Sequence, residues 1–303
     1  MSDLQTLPAA AAKPNGKTPD APSAPSGQAR KLGAARSTRR RSSRAGFILP
    51  GVVLALVVAW ALLPGVFAPA DPIAGNAAAA MSPPSTEHWF GTDATGRDVF
   101  SRVVHGSIHS LSGALLAVTV GLVVGSTLGI IAGSAGRIVD DVIMRIVDVL
   151  LAIPSLLLSL SVIILLGFGT LQAALAVGVA SIAAFARLAR SEVVRVRRSD
   201  YVEAAFGSGA TFGQVLRRHI LPNSTTAVLA LAALQFGTAI LAISTLGFLG
   251  YGAPPPTPEW GLMVAEGRDY LATAWWLTTL PGLVVVAVVL SANRISALIG
   301  RNQ

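Results

Sequence analysis

Residues 201–223, YVEAAFGSGATFGQVLRRHILPN, place two arginines and a histidine between two of the most apolar regions of the chain. Within this stretch, Tyr201 to Phe206 and Thr211 to His219 are each predicted to form a short helix. Gly207 and Gly209 supply the break between the two helices. Two short amphipathic helices that meet at a glycine form a compact unit, and such a unit suits docking into a groove of a partner protein.

The second of these helices carries an apolar face. Phe212, Val215 and Leu216 stand at i, i+3 and i+4 spacing, so they are predicted to be presented together. Leu221 and Pro222 end the loop where the chain returns to an apolar segment, because proline is tolerated at the start of a helix. A generic amphipathic loop is the alternative interpretation.

A second set of charges lies in an apolar segment further towards the N-terminus. An ionised carboxylate such as Asp148 is costly inside a membrane unless it is paired or lies near the interface. Arg145 is its expected partner, because i, i+3 spacing places both on one helical face, and Asp141 precedes Arg145 by four residues. A structural charge ladder is therefore favoured over a substrate contact. Pro154 is predicted to kink the same helix.

Two further polar segments invite a functional interpretation. Asp93, Arg97 and Asp98 lie in a glycine-containing segment, but no Lys-Ser/Thr pair follows, which excludes a phosphate-binding loop. These three residues are instead predicted to cap and pin a short amphipathic helix that leads into the next apolar segment.

The other segment is GAPPPTPEWG with the acidic residues that follow it. Contact with a substrate-delivery protein and a rigid polyproline turn with an interfacial tryptophan remain equal alternatives here. The residues concerned are Pro256, Glu259, Trp260, Glu266 and Asp269.

Several kinds of chemistry are excluded. The chain has no cysteine and no GxxxxGK[ST] sequence, which excludes thiol chemistry and a P-loop ATP site in this chain. No protease-type or zinc-enzyme motif occurs. His105 and His109 stand at i, i+4 spacing, but two ligands without a third are a weak metal site, so we predict no metal and no cofactor in this chain.

Composition identifies the class of protein. Of the 303 residues, 52% are hydrophobic and 13% charged, and the mean hydropathy is +0.64, which indicates an integral membrane protein. At about 20 residues per span, six segments are long enough to cross a bilayer as helices. These segments are Phe47–Phe67, Leu111–Ala132, Ile143–Phe168, Leu171–Ala189, Thr226–Gly250 and Trp275–Ala297. The expected fold class is all-α.

The net charge of +8 does not indicate nucleic-acid binding, because much of it lies in residues 1–44. This segment is rich in Ala, Pro, Ser and Gly and is predicted to be a disordered basic tail, with a possible attraction to anionic membrane lipid. It is too long for the leading part of a signal peptide, so the apolar run after it is interpreted as a first span. The chain thus divides into a tail and a membrane domain, residues 45–303.

The distribution of basic residues orients the spans. All but three of the 23 lysines and arginines lie on one side if the N-terminus is cytoplasmic, and the exceptions are Arg97, Arg102 and Arg268. The opposite loops carry more acidic than basic residues. Basic residues concentrate on the cytoplasmic side, so both termini and residues 201–223 are predicted to be cytoplasmic.

The motif Glu203-Ala204-Ala205, with Gly209 four residues later and His219-Ile220-Leu221-Pro222 beyond it, resembles the EAA loop of ABC importer permeases. Three other segments are similar to the C-type permeases of dipeptide, oligopeptide and nickel importers. They are HWFGTDATGRDVFSRVVHGSIHSL, RIVDDVIMRIVDVLLAIPSLLL and GFLGYGAPPPTPEWGLMVAEGRDYL. The resemblance extends over residues 87–293.

The resemblance implies a type I ABC importer permease fold in a bacterial plasma membrane, with a core of five spans over about 108–297 and a coupling loop over about 191–222. Glu203, Ala204, Ala205 and Gly209 would then dock one or two ATPase subunits, which hold ATP and Mg. A second permease and an extracytoplasmic substrate-binding protein are the other implied partners. The candidate contacts of this binding protein, or of a gate, are Asp93, Arg97, Asp98, Pro256, Glu259, Trp260 and Glu266.

The implied substrates are dipeptides or short oligopeptides, and nickel chelates, haem or glutathione are alternatives within the same family. A secondary transporter or channel that needs no ATPase is the alternative from another class. It predicts inverted repeats and charges at the midplane, and neither is evident in the sequence.

The sequence departs from the family pattern at several places. His219 stands where the general EAA pattern has isoleucine, and Ile243 stands where the fifth span commonly carries an acidic residue. A carboxylate in the permeation path is therefore predicted to be missing. The family's C-terminal ending is also absent after Asn293, so its docking role is not transferred to this chain.

Overall fold

A computed structural model of the protein describes residues 48–299, and the side chains of residues 48–297. Within this range the chain is helical, with one isolated β-bridge between Thr92 and Asp98 and no strand. Residues 1–47, which include the predicted tail and the first residue of the predicted first span, and residues 300–303 lie outside the described range. The helices are α1 Ile48–Leu62, α2 Pro64–Phe67, α3 Val99–Ser134, α4 Arg137–Ala152, α5 Ser155–Leu166, α6 Thr170–Arg197, α7 Asp200–Gly207, α8 Phe212–Val215, α9 Leu221–Phe248, α10 Trp260–Gly267 and α11 Trp276–Ile299.

Four of the described helical segments are long and apolar enough to cross a membrane: α3, α6, α8 continued through α9, and α11. The pair α4 and α5 makes a fifth if it is counted as one span. Helix α1 is apolar but shorter over its described residues, and it packs Val57 and Trp60 into the core. Each of the six predicted segments therefore contains apolar helix.

The predicted third span is not one straight helix. Helices α4 and α5 meet at Ile153 and Pro154, where the chain bends by 98°. Pro154 causes this break, because proline lacks an amide hydrogen and its ring clashes with the preceding turn of a helix. The predicted kink at Pro154 is confirmed.

The centre of the bundle is the contact between α3 and α6, and it depends on small residues. Four buried glycines of α3 at i+4 spacing form a stripe that faces α6. A Cβ added at Gly125 or Gly129 would lie 2.4 Å from a backbone oxygen of α6, so only glycine permits this approach. Small residues at helix interfaces allow close van der Waals packing in membranes. The stripe is Gly121, Gly125, Gly129 and Gly133.

Two arginine–carboxylate pairs join α4 to α6. Arg190 donates from Nε and Nη2 to the two carboxylate oxygens of Asp140, at 3.0 and 2.5 Å. Arg187 pairs with Asp148. The predicted pairing of Asp148 with Arg145 is therefore wrong, because the partner comes from a neighbouring helix that the sequence separation conceals. Arg145 makes none of the ion pairs found in residues 48–297.

Candidate functional site

One end of the bundle carries a compact unit, residues 200–220, which we call the knob. It is held by a small apolar cluster that also includes the end of α6 and excludes water. The fully buried members are Val193 and Val196 of α6 together with Val202, Val215 and Ile220 of the knob. The cluster therefore packs the knob against the end of α6, and Ile220 continues directly into α9.

The turn between the two knob helices requires glycine at one position. Gly209 has a φ of +85°, a left-handed conformation that side chains with a Cβ adopt only with strain. A Cβ there would meet no atom within 4 Å, so backbone conformation and not crowding selects the glycine. Gly207 has no positive φ and closes α7. The predicted break is confirmed at Gly209.

The second half of the knob differs from the prediction. The helix does not end at His219 but continues into α9 through a π-helical turn, Leu216–Ile220. The Leu221 amide donates to the Leu216 carbonyl, five residues back. Pro222 has no amide hydrogen to offer the preceding turn, and a wider turn is one way in which a helix accommodates this loss.

The exposed face of the knob is also not the predicted one. Val215 is fully buried and Leu216 half-buried, so neither is presented with Phe212, and this part of the prediction is wrong. The spacing predicts an apolar face correctly, but this face packs into the apolar cluster of the knob itself. Ala205 and Leu221 are likewise half-buried, whereas Ala204 and Pro222 are exposed.

The exposed side chains of the knob include acidic and aromatic ones beside Arg217 and Arg218. Glu203 is exposed near the start of α7. Tyr201, Phe206 and Phe212 are 47%, 39% and 38% exposed. The Arg197 guanidinium lies 5.9 Å from the Phe212 ring centre. These residues form an exposed face of the knob.

The opposite end of the bundle is covered by residues 68–98 and 249–275, which we call the cap. Its anchor is Arg102 of α3, a side chain that is only 1% exposed. Arg102 Nη1 donates to the Pro72 and Pro256 carbonyls, each at 3.3 Å, and Nη2 donates to Glu266 Oε2 at 3.0 Å. One arginine thus ties together both parts of the cap.

Two predicted contact residues of the cap lie in its interior. Glu259 and Trp260 are 1% and 0% exposed, so neither is available to a delivery protein, and the interfacial-anchor alternative for Trp260 is wrong as well. The Trp260 indole donates to the Val103 carbonyl at 3.0 Å. Both predictions failed because a polar or aromatic loop residue was assumed to lie at the surface.

Glu259 acts as the N-cap of α10. Its two carboxylate oxygens accept from the Gly261 and Leu262 amides at 2.9 and 2.8 Å, and Ser110 donates to it at 3.3 Å. Burial raises the pKa of Glu259, and these hydrogen bonds lower it without offsetting the burial. Gly247 leaves room for the Glu259 carboxylate, because a Cβ at position 247 would lie 2.3 Å from Glu259 Oε2.

The acidic residues before α3 do what the sequence predicts. Asp98 caps α3 by accepting from the Ser101 amide at 2.7 Å. Asp93 pairs with Arg97, with Nε and Oδ2 2.6 Å apart. Burial raises the pKa of Asp93, but hydrogen bonds from the Arg97 and Thr95 backbone and side chains outweigh it and lower the pKa below 3.8. The predicted separate short helix is absent, because α3 begins at Val99 and continues as a span.

Beside Arg102 the cap contains a cavity of about 270 Å³. Asp93, Arg97 and Glu266 line it together with Tyr270 and Leu277. Pro256 is exposed, and the Glu266 side chain is 30% exposed, so these two predicted contacts do reach the surface. The sequence analysis assigns no role to Arg102. A signal was available, because Arg102 is one of only three basic residues that the charge distribution places outside the cytoplasm.

Ile243 is buried between two helices of the bundle. It is 1% exposed, and a Cβ on Gly113 would lie 3.3 Å from its Cδ1, so it packs between α9 and α3. An apolar residue suits this position. Among the described residues there is also no group of three His, Cys, Asp or Glu side chains that could hold a metal ion.

Within residues 48–299 the chain is an all-helical bundle of apolar spans with a helical knob at one end. The same fold occurs in the inward-facing MetNI methionine ABC transporter, with a TM-score of 0.54 and 20% identity over 66% of this chain and 97% of that chain. The chain belongs to the family of binding-protein-dependent transport system inner membrane components, which matches residues 125–302.

Relatives with established names are similar over most of the chain. The dipeptide transport system permease protein DppC of Alkalihalophilus pseudofirmus is 42% identical over 70% of each chain. The probable D,D-dipeptide transport system permease protein DdpC of Escherichia coli is 39% identical over 85% of this chain and 89% of its own. The glutathione transport system permease protein GsiD of Shigella sonnei is 42% identical over 69% of each.

Proposed function

We propose that this chain is one of two permease subunits of an ATP-driven importer for dipeptides or short oligopeptides. The permeases enclose the pathway at their interface, and separate ATPase subunits, which hold ATP and Mg, supply the energy. The observation that carries the proposal is the exposed face of the knob, Glu203 with Tyr201, Phe206 and Phe212, for which we propose the role of docking surface. The knob that bears this face packs against the end of α6 and continues directly into α9.

The mechanism follows from the continuity of α8 and α9. A groove that closes on the knob would move Val202, Val215 and Ile220 together with the end of α6, which packs into the same cluster. It would also move the start of α9, because Ile220 continues directly into that helix. Packed interfaces switch between discrete arrangements more readily than they deform. Movement of the docked knob would therefore tilt these spans and switch the pathway between its two openings.

The proposed topology has six spans with both termini in the cytoplasm of a bacterial cell. It rests on the distribution of basic residues, which lie largely on the side of the knob. The ATPases then meet the knob, and an extracytoplasmic substrate-binding protein meets the cap. With Glu259 and Trp260 buried, the cap offers Pro256 and Glu266 among the sequence-predicted contacts.

The peptide substrate rests on the relatives named for dipeptide transport. Glutathione is the second candidate, because a relative of equal identity is named for glutathione transport. Nickel chelates and haem remain weaker alternatives from the wider family. A transporter or channel that works without an ATPase is the alternative of another class, and it leaves the exposed aromatic face of the knob without a purpose.

Photo-crosslinking tests the docking. A benzoylphenylalanine at Ala204, an exposed residue of the knob, is expected to give a crosslinked product with an ATPase subunit in the assembled complex. The same group at Leu283, which is 56% exposed on α11, serves as the control and gives no such product. Equal crosslinking from both positions, or none from Ala204 in a complex that assembles, would contradict the proposal.

A further inference from the structure

A cavity of about 330 Å³ lies between the ends of α3, α4 and α6, at the end of the bundle that carries the knob. Four arginines line it: Arg137, Arg190, Arg197 and Arg198. Asp140 is the one acidic residue among the described residues that line it. The lining is therefore strongly positive.

Only one of these arginines is closely paired with a carboxylate within the described part of the chain. Arg190 donates to both carboxylate oxygens of Asp140. Arg137 approaches Asp141, with Nε and Oδ2 3.9 Å apart, but the two side chains are 95% and 65% exposed. Ion pairs at such exposure contribute little. The charge of Arg137 therefore remains available to a ligand.

The remaining two arginines, Arg197 and Arg198, make none of the ion pairs found in residues 48–297. Arg197 Nη1 donates to the Gly133 and Ser134 carbonyls at 3.2 and 3.3 Å, and Arg198 is exposed. With Arg137, they border one cavity without a close counter-charge. An anion in the cavity would offset the repulsion between these charges.

The start of α4 adds to the positive potential of the cavity. Gly136 and Arg137 line it, and α4 begins there without a side-chain cap. Amides in the first turn of a helix lack partners within the helix and favour an anion. The arginine side chains and the backbone thus both suit a phosphate group.

The cavity lies at the level where two membrane spans end. The apolar segments of α3 and α6 that are long enough to cross a bilayer end at Ala132 and Ala189. The next residues of the two helices, Gly133 and Arg190, line the cavity. It is therefore expected at the depth of the lipid headgroups, where basic pockets between membrane helices bind anionic lipid.

An aliphatic surface beside the cavity favours a phospholipid over other anions. On α4, next to Arg137, the side chains of Ile138, Val142, Ile146 and Val149 are 81%, 55%, 58% and 64% exposed. Their spacing of three and four residues places them on one face of the helix. A free phosphate or an acidic peptide would leave this face uncovered, whereas a phospholipid brings acyl chains and a phosphate together.

We propose that this cavity binds the phosphate headgroup of an anionic phospholipid, with the acyl chains lying along the aliphatic face of α4. Guanidinium groups suit this role because their paired N–H donors match the oxygens of a phosphate. The bound lipid would hold the ends of α3, α4 and α6 together beside the knob. The inference goes beyond the proposed function and does not depend on it.

Lipid titration of the full-length chain, purified in an uncharged detergent, tests the site. Bound dioctanoyl phosphatidylglycerol is counted by intact-mass spectrometry. Arg137→Gln combined with Arg198→Gln is expected to weaken binding about 25-fold, roughly fivefold for each charge. Arg217→Gln combined with Arg218→Gln removes the same charge from exposed knob residues outside the cavity and is expected to leave the affinity unchanged. The basic residues 1–44 are present in every variant, so their own attraction for lipid does not affect the comparison.

Two further ligands identify what the cavity recognises. Dioctanoyl phosphatidylcholine is expected to bind more weakly, because its headgroup has no net charge. A large excess of inorganic phosphate is expected not to displace phosphatidylglycerol, because phosphate lacks the acyl chains. Displacement by phosphate, equal affinity of the two double variants, or equal binding of the two lipids would overturn the inference. ATP-dependent uptake by the importer would stand in each case, so failure of the lipid site is separable from failure of the proposed function.

Discussion

The two ends of the bundle use opposite strategies to hold their shape. The cap buries charged and polar side chains and satisfies each of them several times, as Arg102 does with Pro72, Pro256 and Glu266. The knob relies on five buried aliphatic residues and leaves its charged and aromatic side chains exposed. The cap therefore has a fixed internal geometry, whereas the knob has a small core and a large contact surface.

This difference has a consequence for movement. Networks of buried, fully satisfied hydrogen bonds have few alternative arrangements and keep a structure rigid. Regions with few buried contacts open at lower cost, and mobile elements are drawn from them. The cap is thus suited to hold a partner in one orientation, and the knob is suited to be moved by one.

The largest expected effect is on the cap. Arg102→Met removes a charge that is 99% inaccessible and leaves the Pro72 and Pro256 carbonyls without this donor, so we expect a loss of about 3 kcal/mol in unfolding free energy. Glu266 is 30% exposed, so water can still reach its carboxylate when Arg102 is removed. The expected loss in unfolding free energy is therefore at the low end of the range for a broken buried ion pair. Thermal unfolding of the detergent-solubilised complex measures the loss.

Arg268→Met is the matched control for that change. Its side chain is 58% exposed and pairs with Asp269, which is 78% exposed, so the expected change is below about 0.5 kcal/mol. If both variants were equally stable, Arg102 would not be the anchor of the cap, and the contrast between the two ends would disappear.

The next effect concerns the docking surface. Glu203→Arg reverses an exposed charge at the expected ATPase contact, so ATP-driven uptake is expected to fall at least about tenfold with no change in thermal stability. Glu87→Arg makes the same reversal at an exposed cap residue and spares coupling to the ATPase. Uptake and ATP hydrolysis are measured on the same assembled complex. If hydrolysis continues while uptake falls, the variant has lost coupling and the complex itself is intact.

A smaller effect is expected at the turn of the knob. Gly209→Ala forces a Cβ into a left-handed backbone at a cost of about 1 kcal/mol, although open space surrounds it. Gly207→Ala adds the same methyl group in open space without a positive φ and is expected to be neutral or slightly stabilising. Hydrogen exchange in residues 200–220 would rise in the first variant alone; equal exchange in both would show that the turn imposes no constraint.

The smallest effect is a dependence on pH within the cap. Because burial raises the pKa of Glu259 above 4.5, the folded chain keeps a proton that the unfolded chain releases. Stability is therefore expected to fall as pH rises from 4.5 to the raised pKa and to level off beyond it. Asp93, with a lowered pKa, contributes stability that is lost only as pH falls below 3.8. Glu259→Gln should abolish the slope above pH 4.5, and an unchanged slope would assign it to another group.

Much of the architecture follows from local sequence. Apolar length located the membrane helices, Pro154 marked the bend between α4 and α5, and the first knob helix and the turn at Gly209 fall where glycine and periodicity indicate. Each of these features is decided within a few residues. Local signals suffice because proline and glycine act on their own backbone.

The remaining features depend on contacts between distant residues. Arg102 meets Pro256 and Glu266 across 154 and 164 positions, and Asp148 finds Arg187 instead of the nearby Arg145. The spacing of Val215 and Leu216 predicts an apolar face but does not indicate whether that face packs against a partner protein or into the core of the knob itself. The stripe of glycines on α3 was a usable local signal, because i+4 spacing indicates a close helix contact.

Reconstitution tests the central claim, that this subunit imports only with an ATPase docked on the knob. Proteoliposomes that contain both permeases, the ATPase subunits and the binding protein are expected to accumulate a labelled dipeptide when ATP is supplied on the side of the knob. Liposomes with this chain alone should accumulate none. If the chain alone moved the peptide at the full rate, without ATP, the account would be wrong.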